Sequence, residues 1–173
     1  MKKLIIFTDI GDTIIDENTE VYKDENIVVR ADCIPGARET YLKLHALGYT
    51  IAMVADGRVL SFHNTMVQHG MDHIFAAKII SENIGEDKPS PKMFQAAMDA
   101  LGLSEADKSR VIMVGNNVKR DVRGANGFGI RAVLIDWSKR RPFDEDSPIE
   151  HAAYRIHTPE ELLPLVERLE AEL

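Results

Sequence analysis

The segment LIIFTDIGDTIID, from Leu4 to Asp16, joins a short apolar run to a turn that carries carboxylates. Its first part, Leu4 to Thr8, has the composition of a short buried strand, and the apolar run stops at Asp9. Three further runs have the same character: Tyr49 to Ala55, Val111 to Gly115 and Arg131 to Ile135. Helical patterns separate these runs, which is the signature of βαβ units. The sequence therefore predicts an α/β fold with a central, mostly parallel sheet.

The remaining elements are predicted from turn and capping signals. Pro35-Gly36 opens a helix that Gly48 closes in the manner of a C′ glycine. We expect Thr158 to cap a terminal helix that runs through Leu173. Other predicted elements are a strand at Ile74 to Ile80, a helix at Pro91 to Leu101 and an edge strand at Tyr154 to Ile156.

Length and charge limit the classes of function. A chain of 173 residues with 45% hydrophobic content suits a single domain over residues 1–173. Its 21 basic and 28 acidic side chains give a formal net charge of −7, which argues against a general binder of nucleic acid or of anionic membranes. Cys33 is the single cysteine, so we expect neither a disulfide framework nor a multi-cysteine metal site. No apolar stretch approaches the roughly 20 residues of a membrane helix, and we expect a soluble, cytoplasmic protein.

The residues that follow each predicted strand locate a candidate site, because open parallel sheets bind ligands beyond the carboxyl ends of their strands. Asp9 to Thr13 follow the first strand, and Asp56 to Arg58 follow the second. Lys88 precedes a predicted helix, Asn116 to Asp121 follow a later strand, and Lys139 to Arg141 lie beyond the last clear strand. Carboxylates and cations therefore converge on one edge of the sheet, an arrangement that suits a metal ion and an anionic ligand.

Four segments carry a resemblance to a known family: LIIFTDIGDTIID (Leu4 to Asp16), GYTIAMVADGR (Gly48 to Arg58), GEDKPSPKMF (Gly85 to Phe94) and VIMVGNNVKRDVRGAN (Val111 to Asn126). In order and spacing they resemble the four motifs of the haloacid dehalogenase-like (HAD) hydrolase superfamily. Those motifs are a strand ending in Asp-x-Asp-x-Thr, a strand ending in Ser or Thr, a Lys-Pro segment that enters a helix, and Gly-Asp-x-x-x-x-Asp followed by Gly-Ala. The resemblance implies a three-layer Rossmann-like fold with helices on both faces of the sheet.

The resemblance also implies residue roles. In that family the first Asp attacks phosphorus to form an aspartyl-phosphate, and Asp9 occupies this position. Lys88 corresponds to the lysine that neutralises the phosphate and the nucleophile, so Asp9 and Lys88 are the catalytic candidates. The implied substrate-binding residues are Ala55, Asp56, Gly57 and Lys88. The implied Mg²⁺ ligands are Asp9, the backbone carbonyl of Gly11, Asn116 and Asp121.

Three of these positions depart from the family pattern. Gly11 stands where the family has its general acid and base, and we do not expect Asp12, one position later, to replace it. Ala55 lacks the hydroxyl that donates to phosphate, and Asn116 carries no charge where the family has a metal-binding Asp. The sequence therefore predicts weakened Mg²⁺ binding and slow turnover. Aryl and acyl phosphates should be preferred over alkyl phosphates, because their leaving groups can depart without being protonated.

No cap domain is expected in either of the places where the family inserts one. Residues 16–30 are long enough only for a hairpin flap, and residues 58–85 only for a helix and a strand. Caps exclude water and select substrate, so a large substrate or a neighbouring subunit could complete such a site. Homo-oligomerisation is therefore an expectation.

Three functions remain open. The leading hypothesis is a slow Mg²⁺-dependent phosphohydrolase that acts through Asp9 on a small phosphorylated or other anionic substrate. The second is a non-catalytic HAD-like module that binds an anion or a protein, which the altered positions Gly11, Ala55 and Asn116 support. The third is metal-independent displacement at carbon, as in the dehalogenase branch, whose first motif also lacks the second Asp.

Overall fold

The computed structural model describes residues 2–24 and 26–173. Its strands are β1 (Ile5–Thr8), β2 (Val21–Asp24), β3 (Ile27–Arg30), β4 (Thr50–Ala55), β5 (Phe75–Ile80), β6 (Val111–Gly115), β7 (Arg131–Ile135) and β8 (Tyr154–Ile156). Its α-helices are α1 (Ala37–Ala46), α2 (Val59–Gln68), α3 (Ser81–Ile84), α4 (Pro91–Ala100), α5 (Arg123–Phe128) and α6 (Leu162–Ala171). A π-helical turn, Val118–Val122, leads directly into α5.

Six strands form one sheet in the order β5-β4-β1-β6-β7-β8, and each neighbouring pair is parallel. Strand β1 lies inside the sheet, with Phe7 in register with Ala52 on one side and with Met113 on the other. This arrangement confirms the predicted three-layer α/β fold with a parallel central sheet. Because all six strands point the same way, the segments that follow β1, β4 and β6 meet at one edge.

The alternation of side chains along the strands builds a separate core on each face of the sheet. From β1, Ile6 packs into one core and Phe7 into the other. The first core includes Tyr41 of α1 and Leu169 of α6, while the second includes Phe94 of α4. Both faces of the sheet are thus covered by helices, which explains why the strand sequences are almost continuously apolar.

The terminal helix differs from its prediction. Residues Pro159–Glu161 form a 3₁₀ turn, and α6 begins only at Leu162. Thr158 precedes the turn in an extended conformation, but its side chain makes no capping hydrogen bond. The prediction of a Thr158 side-chain cap was therefore wrong. No helix within the described ranges is long and apolar enough to cross a membrane.

Residues 17–30 form a flap over the sheet edge. A 3₁₀ turn at Glu17–Thr19 leads into β2 and β3, which pair as an antiparallel hairpin, and Glu25 between them lies outside the described residues. The backbone of Val28 bonds to α2 twice: its N–H donates to Ser61 Oγ over 3.0 Å, and its carbonyl accepts from Asn64 Nδ2 over 2.9 Å. These bonds hold the flap against the helix that follows β4.

Two glycines of α5 have very different surroundings. A Cβ built on Gly124 would lie 2.7 Å from Phe94 Cε2 and 3.1 Å from the backbone Cα of Pro89, whereas one built on Gly127 would find its nearest atom, of Ile149, at 3.7 Å. The close contact brings α5 against the start of α4, next to Lys88. Gly124 therefore sets the distance between the two helices on this face.

We predict that Gly124→Ala destabilises the protein by about 1–3 kcal/mol, because the aromatic ring and the Pro89 backbone must both shift to admit a methyl group. Gly127→Ala, on the same short helix, should be neutral or stabilise by up to about 1 kcal/mol through helix propensity. Urea unfolding of the two variants measures the difference. Equal free energies of unfolding would contradict the proposed steric role of Gly124.

Candidate active site

A cavity of about 240 Å³ opens at the carboxyl edge of the sheet, beneath the flap. Seven of the residues that border it were predicted from the sequence as site residues: Asp9, Gly11, Asp56, Gly57, Lys88, Asn116 and Asp121. Ala55 does not border it, because its side chain is fully buried at the end of β4. The structure thus brings together all the predicted site residues except Ala55.

Asp9 is the first residue after β1, and its backbone is fixed on both sides. Its N–H donates to the carbonyl of Val114 over 2.9 Å, which extends the pairing of β1 with β6 by one bond. Its carbonyl accepts from the Thr8 hydroxyl over 2.8 Å, and that hydroxyl lies 2.7 Å from the hydroxyl of buried Tyr41. The Asp9 carboxylate is therefore directed into the cavity by a rigid backbone.

Lys88 lies at the centre of the site, and only 2% of its surface is exposed. Its Nζ donates to Asp9 Oδ1 over 3.0 Å, to Asp121 Oδ1 over 2.7 Å and to the carbonyl of Val54 over 2.8 Å. An ammonium group has three protons, so each of these acceptors can take one. This full set of hydrogen bonds stabilises a charge that would otherwise be costly to bury.

Gly115 provides the space that the Asp121 side chain occupies. A Cβ at position 115 would lie 2.2 Å from Asp121 Oδ2, so a side chain there would displace the carboxylate. The Asn117 N–H donates to the same oxygen over 3.0 Å. Asp121 is thus held by Lys88 through one oxygen and by the backbone that follows β6 through the other.

Asp56, the first residue after β4, supports Lys88. Its Oδ1 accepts from the Lys88 backbone N–H over 2.9 Å, and its Oδ2 accepts from Arg120 Nη1 over 3.2 Å. The N–H of Gly57, predicted to bind substrate, donates to Ser81 Oγ over 3.0 Å. In this structure Asp56 therefore positions the backbone of Lys88. The Gly57 N–H already has a hydrogen-bond partner within the protein.

Burial and neighbouring charges shift the pKa values of the groups in the cluster. Burial raises the pKa of Asp9 to about 7, against the opposing effect of Lys88, and burial also raises the pKa of Asp56. Burial alone would lower the pKa of Lys88, but the surrounding carboxylates, Asp121 foremost, outweigh it and raise that pKa. Lys88 is therefore an ammonium group that faces three carboxyl groups, and a further cation bound beside them would favour the ionised forms of Asp9 and Asp56.

The donors around Asp9 fit a hard divalent cation. Carboxylate, amide and backbone carbonyl oxygens are the ligands that Mg²⁺ takes, together with waters and substrate oxygens. Asn116 is buried and borders the cavity. The same residues contain no cluster of three or more His, Cys, Asp or Glu side chains suited to a metal. A cation here would therefore depend on the Asn116 amide, the Gly11 carbonyl and solvent for part of its shell.

Sequence reasoning missed Glu17. This flap residue borders the same cavity, and its carboxylate lies next to Gly11 and pairs with Arg140 over 2.9 Å. Burial, and after it the carboxylate of Asp12, raises the pKa of Glu17. Asp12 itself turns away from the cavity: it is fully buried, and its Oδ2 accepts from the Ser138 hydroxyl over 3.1 Å. The only signal in the sequence was the presence of a carboxylate in the predicted flap.

The sequence profile of haloacid dehalogenase-like hydrolases matches residues 6–129, a range that includes all of these positions except Arg140 and Ser138. The chain belongs to the HAD-like hydrolase family. The predicted resemblance is thereby confirmed. Among HAD relatives, the glyceraldehyde 3-phosphate phosphatase of Pyrococcus furiosus is 31% identical over 139 residues, which are 80% of this chain and 55% of that protein. The chain thus spans little more than half the length of this curated relative.

Solved HAD structures share the fold. A HAD phosphatase from Thermococcus onnurineus has a TM-score of 0.76 at 19% identity, with 94% of this chain and 97% of that chain covered. A HAD hydrolase from Bacillus subtilis bound to magnesium has a TM-score of 0.67 at 18% identity, with 78% of this chain and 56% of that chain covered. At such identities the likeness concerns the fold alone.

We predict that Lys88→Met destabilises the protein by about 3–5 kcal/mol, because it leaves Asp9 and Asp121 buried without their shared cation. Lys92→Met is the matched control: Lys92 is exposed and pairs only with Glu86, so its loss should cost less than about 1 kcal/mol. Chemical unfolding in the presence of a chelator measures both. Equal losses would show that the buried ammonium group does not hold the site together.

Proposed function

We propose that the protein is a phosphohydrolase that cleaves small phosphate monoesters through an aspartyl-phosphate on Asp9, with Mg²⁺ as cofactor. The observation that carries this proposal is the state of the Asp9 carboxylate. Lys88 binds its Oδ1, while Oδ2 has no hydrogen-bond partner among the described residues and the carboxylate borders the cavity. A rigid carboxylate with one oxygen held by a cation and the other facing a cavity has the geometry of a nucleophile.

The residues of the chain suit each requirement of this reaction. The phosphate would lie against the Lys88 ammonium group, which neutralises charge on the phosphate and on Asp9. The fixed backbone of Asp9 would direct its carboxylate at phosphorus, so little orientational entropy would have to be lost in the attack. Arg120 lies beside Asp56 at the mouth of the cavity and adds a positive charge near the entering anion.

The charge of the cluster supports Mg²⁺. A phosphate dianion that enters a site of three carboxyl groups and one ammonium group meets repulsion unless a cation accompanies it. Asp9, Asn116, Asp121 and the Gly11 carbonyl would hold the ion, which when bound neutralises phosphate oxygens and orients the phosphoryl group. The magnesium bound by the fold neighbour from Bacillus subtilis agrees with this assignment.

The size of the cavity supports a small substrate. The flap contributes Tyr22 and Val28 to its wall, and α2 contributes Ser61 and Phe62, so apolar and polar groups surround the space beside Asp9. The Pyrococcus furiosus relative, a glyceraldehyde 3-phosphate phosphatase, acts on a small phosphate ester. The single domain, the cytoplasmic location and the homo-oligomer predicted from the sequence stay predictions.

A binding module is the second candidate, and two observations favour it. Ala55 offers no hydroxyl to a phosphate, and the neighbouring Gly57 N–H is already bonded to Ser81. Both reduce the number of donors available to an anion at the end of β4. This module would bind phosphate with Mg²⁺ but release no product.

We predict that the wild-type protein releases phosphate from p-nitrophenyl phosphate and from a panel of small sugar and amino-acid phosphates, and that Asp9→Asn lowers turnover at least about 10³-fold. Thermal unfolding of the variant checks that the near-isosteric change keeps the fold. Equal turnover by both proteins would point to a contaminant, and calorimetric phosphate binding with no turnover would favour the binding module.

A single turnover in ¹⁸O-labelled water separates the phosphatase from the dehalogenase chemistry. If water attacks phosphorus, the label appears in phosphate and Asp9 keeps its own oxygens. If Asp9 forms an ester with carbon, water attacks the carboxyl carbon, and the label enters Asp9. Mass spectrometry of the peptide that contains Asp9 should find no label, and label there would contradict the proposed phosphohydrolase.

A further inference from the structure

Glu17 occupies the space in which a side chain at position 11 would lie. A Cβ built on Gly11 would be 2.0 Å from Glu17 Oε1, 2.9 Å from Cδ and 3.2 Å from Cγ. The first two atoms belong to the Glu17 carboxyl group, and Cγ is the carbon attached to it. Any side chain at position 11 must therefore displace this end of Glu17. Glu17 therefore fills the space that a side chain at position 11 would need, beside the turn that follows Asp9.

Glu17 is held in this position from both ends. Its backbone N–H donates to Asp12 Oδ1 over 3.1 Å, at the start of the 3₁₀ turn that opens the flap. Its Oε2 pairs with Arg140 Nη1 over 2.9 Å, and the side chain is 23% exposed. With Oε2 engaged by Arg140, the oxygen nearest Gly11 is Oε1.

The other carboxylates at the cavity are engaged elsewhere. Asp121 is bound to Lys88 and to the Asn117 N–H, and Asp56 is bound to the Lys88 N–H and to Arg120. Glu20 Oε2 accepts from the Tyr22 hydroxyl over 2.6 Å. Among the cavity residues that the structure describes, Glu17 is the one whose carboxylate fills the space beside Gly11.

We propose that Glu17 is a catalytic residue that supplies, from the flap, the proton-transferring carboxyl group that Gly11 lacks. This inference rests on the proposed phosphohydrolase function and names a further residue of the same site. A turn of the chain thus brings a carboxyl group from position 17 to the place that a side chain at position 11 would occupy. The steric exclusion in turn explains why position 11 must be a glycine.

The reaction balances with Glu17 in this role. In the first step an oxygen of Asp9 bonds to phosphorus while the bond from phosphorus to the leaving oxygen breaks, and that oxygen takes the proton of the Glu17 carboxyl group and departs as an alcohol. In the second step a water oxygen bonds to phosphorus, its proton passes to the Glu17 carboxylate, and the bond from phosphorus to Asp9 breaks. Phosphate leaves, and both carboxyl groups return to their starting states.

The proposal reverses an expectation drawn from the sequence. A site with only glycine at this place should favour aryl phosphates, because their leaving groups need no proton. With Glu17 present, the wild-type protein should hydrolyse not only p-nitrophenyl phosphate but also an alkyl phosphate such as propyl phosphate. Glu17→Gln, which preserves the shape of the side chain, should lower kcat/KM for propyl phosphate by about 10²–10⁴-fold. Its kcat/KM for p-nitrophenyl phosphate should change little, because kcat/KM reports on the first step, in which this leaving group needs no proton. The second step is common to both substrates, so any loss of kcat that arises there should be the same for both.

Asp24→Asn is the matched control, since Asp24 is an exposed carboxylate on the same flap. It should leave both rates unchanged. Thermal unfolding of each variant checks that the flap change does not unfold the protein. The double variant Gly11→Asp/Glu17→Ala places the carboxyl group back at position 11 in the space vacated by Glu17, and it should turn over propyl phosphate at least tenfold faster than Glu17→Ala.

Two results would overturn the proposal while leaving the phosphohydrolase intact. One is an unchanged kcat/KM of Glu17→Gln on propyl phosphate. The other is an equal loss of kcat/KM on alkyl and aryl substrates, which would indicate a structural role for Glu17. If the wild-type protein shows no Asp9-dependent turnover of either ester, both proposals fail, and this result is distinct from the other two.

Discussion

The rest of the site depends on the buried ammonium group of Lys88. Its three hydrogen bonds join Asp9 after β1, the carbonyl of Val54 in β4, and Asp121 in the turn after β6. These residues lie 79, 34 and 33 positions away from Lys88 in the sequence, so one group closes three long loops at the sheet edge. Burying an ion is costly, and the cost is offset only when every acceptor is in place. The hydrogen bonds that stabilise this edge are therefore the same bonds that orient the proposed nucleophile.

The space for this arrangement comes from residues without side chains. Gly115 leaves room for the carboxylate of Asp121, and Gly124 lets α5 approach Pro89, the residue after Lys88. Gly11 leaves room for Glu17 in the same way. In each case the missing Cβ is replaced by a group from another part of the chain, so the glycines define where the charged groups of the site can lie. A larger residue at any of these positions would act on the site through sterics and not through charge.

Most of the fold could be predicted from the sequence, because apolar runs such as Leu4 to Thr8 and Val111 to Gly115 are short, β-rich and separated by helical patterns. The positions of Asp9 and Asp121 followed from the rule that parallel strands end at a common edge, whereas Lys88 was identified from its resemblance to the family's Lys-Pro segment. Glu17 could not be found in this way, because its place beside Gly11 depends on Asp12, whose backbone adopts φ 49°, and on Arg140, which is 123 positions away from Glu17. The hydrogen bond from the Gly57 N–H to Ser81 could not be predicted for the same reason, because Ser81 follows a different strand, β5. Local patterns predict elements, whereas contacts between loops require the folded chain.

The place of Glu17 gives the flap a chemical consequence beyond enclosure of the cavity. Asp9 and Lys88 are fixed by the sheet, whereas Glu17 belongs to the flap, which is held to α2 by the hydrogen bonds of Val28 and by the paired amide contacts of Gln68 with Ala31. The proton-transferring group is held on the flap by Asp12 and Arg140, outside the ion cluster around Lys88. Phosphate binding and leaving-group protonation would then depend on different parts of the molecule, the first on the rigid edge of the sheet and the second on the contacts that hold Glu17. A side chain at position 11 would tie both functions to the sheet, so the glycine is what makes their separation possible.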